Sequence, residues 1–325
     1  MLRASNPDAM IRIARHRPAD SDELALALSG WSQDYTQLGR GRLQAELLQV
    51  LLPDAALIYE HSNLHLRETM APPAHQVVIG LPLCTDGRSL FNGRPLDLDT
   101  LLVLEGGREF EICAPGEIGM FGLALDRSLL ERLLTPEERE LFEIAVARRR
   151  LPLASADAQA LRADLGRALA AFDGAQGTPP SDPQDAGATV VSALQQVLGA
   201  VAAALGGDVA DGGPRSLQRH RRLVDAAIDA MQADLARPLS LGDLSRRLAT
   251  SERTLQLSFR QVCRASPQQF FLCLRLADAR RRLKQDPRQR ITELALELGF
   301  ASSSHFSSLY KRLYAEQPSL RLRQR

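Results

Sequence analysis

Cysteine is sparse in this 325-residue chain: Cys84, Cys113, Cys263 and Cys273 form no CxxC pair and no zinc-ligand spacing. This spacing gives no zinc-binding motif, and a reducing, cytoplasmic compartment is expected. The opening MLRASNPDAM lacks the layout of a signal peptide. Long apolar runs are missing too. The longest uncharged stretch, residues 186–207, is diluted by Thr189, Ser192, Gln195, Gln196 and several Gly and Ala, too polar for a bilayer span, so no membrane role is expected. There is no Ser/His/Asp layout and no phosphate-cradling glycine loop, so neither enzyme activity nor a cofactor is expected. Tryptophan occurs once, and lysine is absent from the first 214 residues.

What is abundant is arginine, unevenly placed. The formal net charge is only +1, but residues 1–214 hold 18 Arg against 29 acids, whereas residues 215–325 hold 22 Arg and Lys against 10 acids. An acidic module joined to a strongly basic one fits a polyanion partner, because the basic part alone gains by releasing counterions from phosphates. A basic face can also be simply solvated.

Length and a 45% hydrophobic content allow two cores. Ser21–Leu28 reads as a short helix capped at Ser21 or Asp22. From about Gly41 the pattern turns to short strands. Leu43, Ala45 and Leu47 alternate with polar residues, Val77–Leu83 and Leu101–Leu104 are short apolar runs, and Asn92-Gly93 is a hairpin signal because both residues tolerate positive φ. A β sandwich or small barrel is expected over residues 41–125. Helical periodicity follows Asp126 and continues through Ser155–Phe172. The domain limits are set at 1–173 for this β-rich module with trailing helices, 174–214 for linkers flanking a helix over 188–205, and 215–325 for the basic module. In that helix Val191, Leu194, Leu198, Val201 and Leu205 follow an a/d spacing, which fits either a homodimer seam or packing on its own domain.

The basic module carries a duplication. Leu239–Gln261 and Arg290–Leu313 align with Leu241 on Ile291, Leu248 on Leu298, Ala249 on Gly299 and, after one inserted residue, Phe259 on Tyr310. Each copy reads as a helix-turn-helix, with Ser240 and Ser266 as helix caps. In the first copy Leu255, Phe259 and Val262 fall on the core side, leaving Arg253, Gln256, Leu257, Arg260 and Arg264 outward. Arg253 and Gln256 suit guanine and adenine edges in the major groove, Leu257 a thymine methyl, and Arg260 and Arg264 phosphates. In the second copy Phe306, Leu309, Tyr310 and Leu313 face in, and Ser304, Ser307, Ser308 and Lys311 face out. Hydroxyls discriminate bases weakly, so this unit is expected to add affinity more than specificity; Ser302 to Ser304 serve equally well as an N-cap cluster. The intervening Phe270–Leu283 is helical and carries Arg275, Arg280, Arg281 and Arg282, with Lys284 just beyond. It would hold the two reading helices about 34 Å apart, one turn of double-stranded DNA.

These segments, with ASPQQFF and RLADARRRL between them and ITELALELGFASSSHFSSLYKRL above all, resemble the AraC/XylS family of bacterial transcription regulators over about a third of the chain. Ala249 departs from the glycine common in the first turn, and Leu257 from a position where a polar residue is frequent. WSQDYTQLGRGRLQAELLQ and FNGRPL are more loosely similar to the sensing domains of one branch. The resemblance implies an α+β multidomain chain. Its parts would be a cupin-like β sandwich that binds a small-molecule effector or dimerises, trailing helices, and an all-α DNA-binding domain of about seven helices with two helix-turn-helix units. The protein would most often be an activator working beside RNA polymerase. Two alternatives remain: an architectural DNA binder without effector, and a metal-binding enzyme or metal sensor built on His61, His65, Glu68 and His75, whose i, i+4 histidines share a face.

Overall fold

The computed structural model describes residues 12–172, 183–205, 215–237, 240–286 and 288–320. The N-terminal part opens with β1 (Arg12–His16), α1 (Ser21–Ala25), β2 (Ser32–Gln37), β3 (Ala45–Leu51), β4 (Ala55–Ser62), β5 (Leu66–Ala71) and β6 (Gln76–Thr85). It continues with β7 (Leu90–Phe91), β8 (Arg94–Pro95), β9 (Thr100–Glu105), β10 (Phe110–Ala114) and β11 (Ile118–Asp126). Then come α2 (Arg127–Leu133), α3 (Pro136–Arg148), β12 (Arg150–Pro152), α4 (Ser155–Phe172) and α5 (Pro183–Leu205). The basic part comprises α6 (Arg215–Gln232), α7 (Leu241–Arg247), α8 (Glu252–Cys263), α9 (Pro267–Gln285), α10 (Ile291–Glu297), α11 (Ser303–Tyr314) and a short 3-10 turn at Pro318–Leu320.

The strands form two antiparallel sheets, one of seven in the order β1-β3-β4-β11-β6-β9-β12 and one of five in the order β2-β5-β10-β7-β8. The larger sheet is buried on both faces. Leu47, Ile58, Val78 and Leu102 point at the smaller sheet, while Val50, Leu57, Ile79, Val103 and Leu123 point at a layer made by α2 to α5. Burial on two sides explains why β6 and β9 read as continuous apolar runs instead of alternating ones. Asn92 and Gly93 adopt φ of 50° and 76° and turn β7 into β8, as the hairpin signal requires.

Several boundaries differ from the sequence reading. The sandwich starts at Arg12, well before Gly41, because β1 and β2 are polar strands with few apolar positions. The first helix is capped by Asp20, whose carboxylate accepts from the Asp22 and Glu23 N–H groups, and it ends at Ala25. Helix α5 begins at Pro183 rather than 188. Linker residues 174–182 and 206–214 lie outside the described residues. The helix in 188–205 packs on its own domain: its buried stripe is Ala193, Val197, Val201 and Ala204, set against α3, α4 and the larger sheet. Of the a/d residues, Val201 is spent in that core, Val191, Leu198 and Leu205 are half-buried, and the Leu194 side chain lies outside the described residues.

Between the sheets, Gly80 and Gly122 pair across β6 and β11. With no side chains there, the sandwich retains a cavity of about 70 Å³. No described helix is long and apolar enough to cross a membrane.

Candidate nucleic-acid interface

Four helices of the two helix-turn-helix units and their connection start from local capping. Ser240 accepts the Asp243 N–H at the start of α7, Ser251 the Thr254 N–H at α8, Ser266 the Gln269 N–H at α9 and Ser302 the His305 N–H at α11, each satisfying a donor that the helix itself leaves open. Ser302 is thus a cap, and Ser303 and Ser304 form the first turn. Helix α10 starts at Arg290 without a side-chain cap.

The turns inside the two units are equivalent. Ala249 and Gly299 both sit at positive φ, 48° and 69°, the left-handed conformation that ends a helix within a residue or two. They differ in surroundings: a Cβ at Gly299 would come within 2.1 Å of the Ala236 carbonyl oxygen, so glycine is compulsory there.

On α8, Leu255, Phe259 and Val262 are buried to completion, and Phe259 packs edge-on against Phe270 of α9 at 5.6 Å. Arg253, Leu257 and Arg260 are exposed, Gln256 is half-buried, and exposed Arg264 ends the helix at φ 52°. Leu257 keeps 46% of its surface in solvent. Ser258, between these faces, is buried and bonds His220 Nδ1 of α6 at 2.7 Å. On α11, Phe306, Tyr310 and Leu313 are buried and Leu309 half-buried. Ser304, Ser308 and Lys311 are exposed and Ser307 half-buried.

The connecting helix uses its basic residues differently from a phosphate-facing row. Arg275 and Arg280 are buried. Arg275 lies over the Phe300 ring at 4.1 Å and donates to the Leu298 carbonyl at the end of α10. Arg280 lies over Tyr314 at 4.3 Å and pairs with Glu316 at 2.9 Å. These two guanidiniums bolt α9 to the second unit through cation–π and charge-assisted contacts. Arg282 pairs with Asp278 and Glu297.

The N-terminal domain grips this module at several points. Lys284 pairs with Asp20 and, at 3.6 Å, Asp22. Burial pushes the Asp20 carboxyl up, but Lys284 and Arg280 more than offset that and hold it below its ordinary value. Gln37 Nε2 and the Gly41 N–H both donate to the Leu313 carbonyl, at 3.1 and 2.9 Å. His65 Nε2 meets the Cys263 carbonyl at 3.1 Å. Leu313 and Cys263 are in the last turns of α11 and α8, so the N-terminal domain satisfies end carbonyls of both helices while their outward faces stay open. Arg67 of β5 joins Glu111 at 2.5 Å and Asp225 of α6 at 3.6 Å, and lies over Phe270. None of these clamp residues has a sequence signature; only the run of polar residues at Gln33, Tyr35 and Gln37 in β2 marks the strand as unusual.

The metal set read from His61, His65, Glu68 and His75 is not assembled. His65 is turned to the other domain, Glu68 lines the inner cavity, and His75 sits 3.5 Å from Asp126. His61 instead meets Glu117 at 2.9 Å, with Cys84 nearby, their donor atoms all within 4.8 Å. The i, i+4 rule fails because the chain leaves β4 after Ser62 and His65 belongs to the following turn.

A helix-turn-helix domain family matches residues 244–324. The transcriptional regulator ArgR of Pseudomonas aeruginosa is 33% identical over 99 residues, 30% of each chain. The transcriptional activator RhaS of Pectobacterium carotovorum is 34% identical over 98 residues, 30% of this chain and 35% of its own. The chain thus spans about a third of the length of the curated relatives it matches. A solved transcriptional regulator from Chromobacterium violaceum, described by its AraC-type DNA-binding domain, is 31% identical and aligns with 33% of this chain and 95% of its own, at a TM-score of 0.31. The two helix-turn-helix units on a shared connecting helix thus lie in the C-terminal third, where the chain matches the helix-turn-helix domain family and is similar to these transcription regulators.

Proposed function

We propose that the chain is a sequence-specific, effector-responsive regulator of transcription, acting in the cytoplasm on double-stranded DNA and, as an activator, beside RNA polymerase. The observation that carries this reading is the pair of open helix faces, Arg253, Gln256, Leu257 and Arg260 on α8 and Ser304, Ser308 and Lys311 on α11, in a chain whose other domain holds the far ends of the same two helices. The first face would read bases and the second mainly strengthen the grip. A ligand in the sandwich could alter the clamp, because Glu68 and Arg67 are neighbours on β5 with one facing the cavity and the other the DNA-binding domain.

Selection of duplexes by the full chain from a random pool tests it. One asymmetric site should emerge, bound at least about a thousandfold tighter than random duplex. Uniform binding would favour an architectural role without sequence choice. A site recovered as a repeated pair would add the homodimer, with the half-buried flank of α5 at Val191, Leu198 and Leu205 as its seam.

A further inference from the structure

The cavity between the sheets has a chemical bias. Its wall is mostly apolar, with Leu28, Met70, Leu104 and Ile112 among the lining side chains, and Trp31 borders it. Its polar groups are Glu60, Glu68, Tyr35, Gln33 and Ser62, and among the described lining residues no Lys, Arg or His appears. Tyr35 Oη lies 2.8 Å from Glu60 Oε1 and 3.0 Å from Glu68 Oε1, and the Gln33 amide nitrogen donates to Glu68 and to Tyr35. The single phenol proton cannot serve both carboxylates at once. Gln33 Oε1 is buried and has no hydrogen-bond partner, a third acceptor waiting for a donor.

We propose that this cavity takes a small organic ammonium ligand, its charge held between Glu60 and Glu68, an N–H or polarised C–H directed at Gln33 Oε1, and its alkyl part against the apolar wall and Trp31. This rests on the effector-responsive reading above and names the effector's class. Two carboxylates without a basic partner are costly to ionise together in a dry site. Burial, and for Glu60 also the Glu68 charge, raises them to about 8 and about 7 respectively. A cation would remove that penalty, and Trp31, one of the lining side chains, carries a ring of the kind that attracts cations. Free space of about 70 Å³ matches a ligand of roughly five non-hydrogen atoms, taking 10–15 Å³ of such space per water-sized group.

Trp31 is the only tryptophan, so its fluorescence reports occupancy in the full chain. Titration at pH 8 with n-butylammonium and tetramethylammonium should give a saturable change, and 1-butanol and butyrate should not. Glu60→Gln combined with Glu68→Gln should weaken ammonium binding at least tenfold. Should that variant fail to fold, Gly122→Val keeps both carboxylates and fills the floor, where a Cβ meets nothing nearer than Ile58 at 3.5 Å; it should abolish the response. Lowering the pH from 8 to 6 should weaken binding, because Glu60 and Glu68, which with Tyr35 are the titratable groups among the described lining residues, must lose protons to hold a cation. No saturable response to either ammonium probe, equal binding of butyrate or butanol, or unchanged affinity in both variants overturns the proposal. A chain that still selects its duplex while ignoring ammonium ions loses this inference and keeps the regulatory reading; one that binds them but prefers no duplex does the reverse.

Discussion

Gly299 and Ala249 occupy the same place in two copies of one motif, and their difference is measurable. Replacing Gly299 by Ala drives a methyl into the Ala236 carbonyl at 2.1 Å at positive φ, which should cost about 3 kcal/mol or more, seen as a lowered midpoint in urea unfolding of the DNA-binding domain. Ala249→Gly relieves left-handed strain but loosens the unfolded chain, two effects of about 1 kcal/mol that offset one another; its midpoint should barely move. On α8, Arg253→Ala should cost about 1–3 kcal/mol of duplex binding and relax selectivity at one base pair. Leu257→Ala should relax selectivity at a thymine, checked by binding to single-base variants of the selected site. Unchanged preference at every base would remove Leu257 from the reading face. The core and outer positions of α8 and α11 were readable from 3.6-residue periodicity because each helix has one dry and one wet face. The roles of Arg275 and Arg280 were not, because a basic residue buried over an aromatic ring looks in sequence like any solvated arginine.

At the scale of elements, the smaller sheet has two working surfaces. Its inner side bears Tyr35, Glu68 and Met70 in the cavity, and its outer side bears Arg67 and Glu111 against α6 and α9. Polar residues at Gln33, Tyr35 and Gln37 hid β2 from pattern reading, since a strand serving a site and an interface violates the apolar alternation used to find it. Helix α5 was ambiguous for the opposite reason: its apolar residues encircle enough of the helix to satisfy two stripes, and packing chose Ala193, Val197, Val201 and Ala204. The contact of His65 with α8 should give the clamp a pH response. Burial holds the His65 imidazole below its ordinary value of 6.5, so protonation favours the undocked or unfolded chain. Its contribution is complete above pH 6.5 and is lost as pH falls below it. The raised Glu60 and Glu68 act in the other direction across this range, so the comparison must be with His65→Gln, which leaves them unchanged. Between pH 7 and 5.5 the wild type should lose more thermal stability than His65→Gln; parallel curves would show that His65 does not titrate in the clamp.

For the whole molecule, the acidic and basic halves seen in the sequence are partly neutralised against each other, through Lys284 with Asp20 and Arg67 with Asp225. The basic charge left in solvent is the exposed set around α8 and α11, including Arg247, Arg253, Arg260, Arg264, Lys311 and Arg312. With six phosphate contacts, raising salt from 50 to 200 mM should weaken duplex binding by about three orders of magnitude; a flat response would contradict a phosphate-based grip. The duplication, the charge division and the β-then-α order were legible along the chain because each is a local pattern. The clamp and the cavity were not, because they join residues as distant as Gln37 and Leu313. The most direct test of two reading helices on one duplex is hydroxyl-radical footprinting of the full chain on its selected site. Two protected patches on the same face, about 10 base pairs apart, are expected, and a single patch, or protection that ignores sequence, would contradict the account.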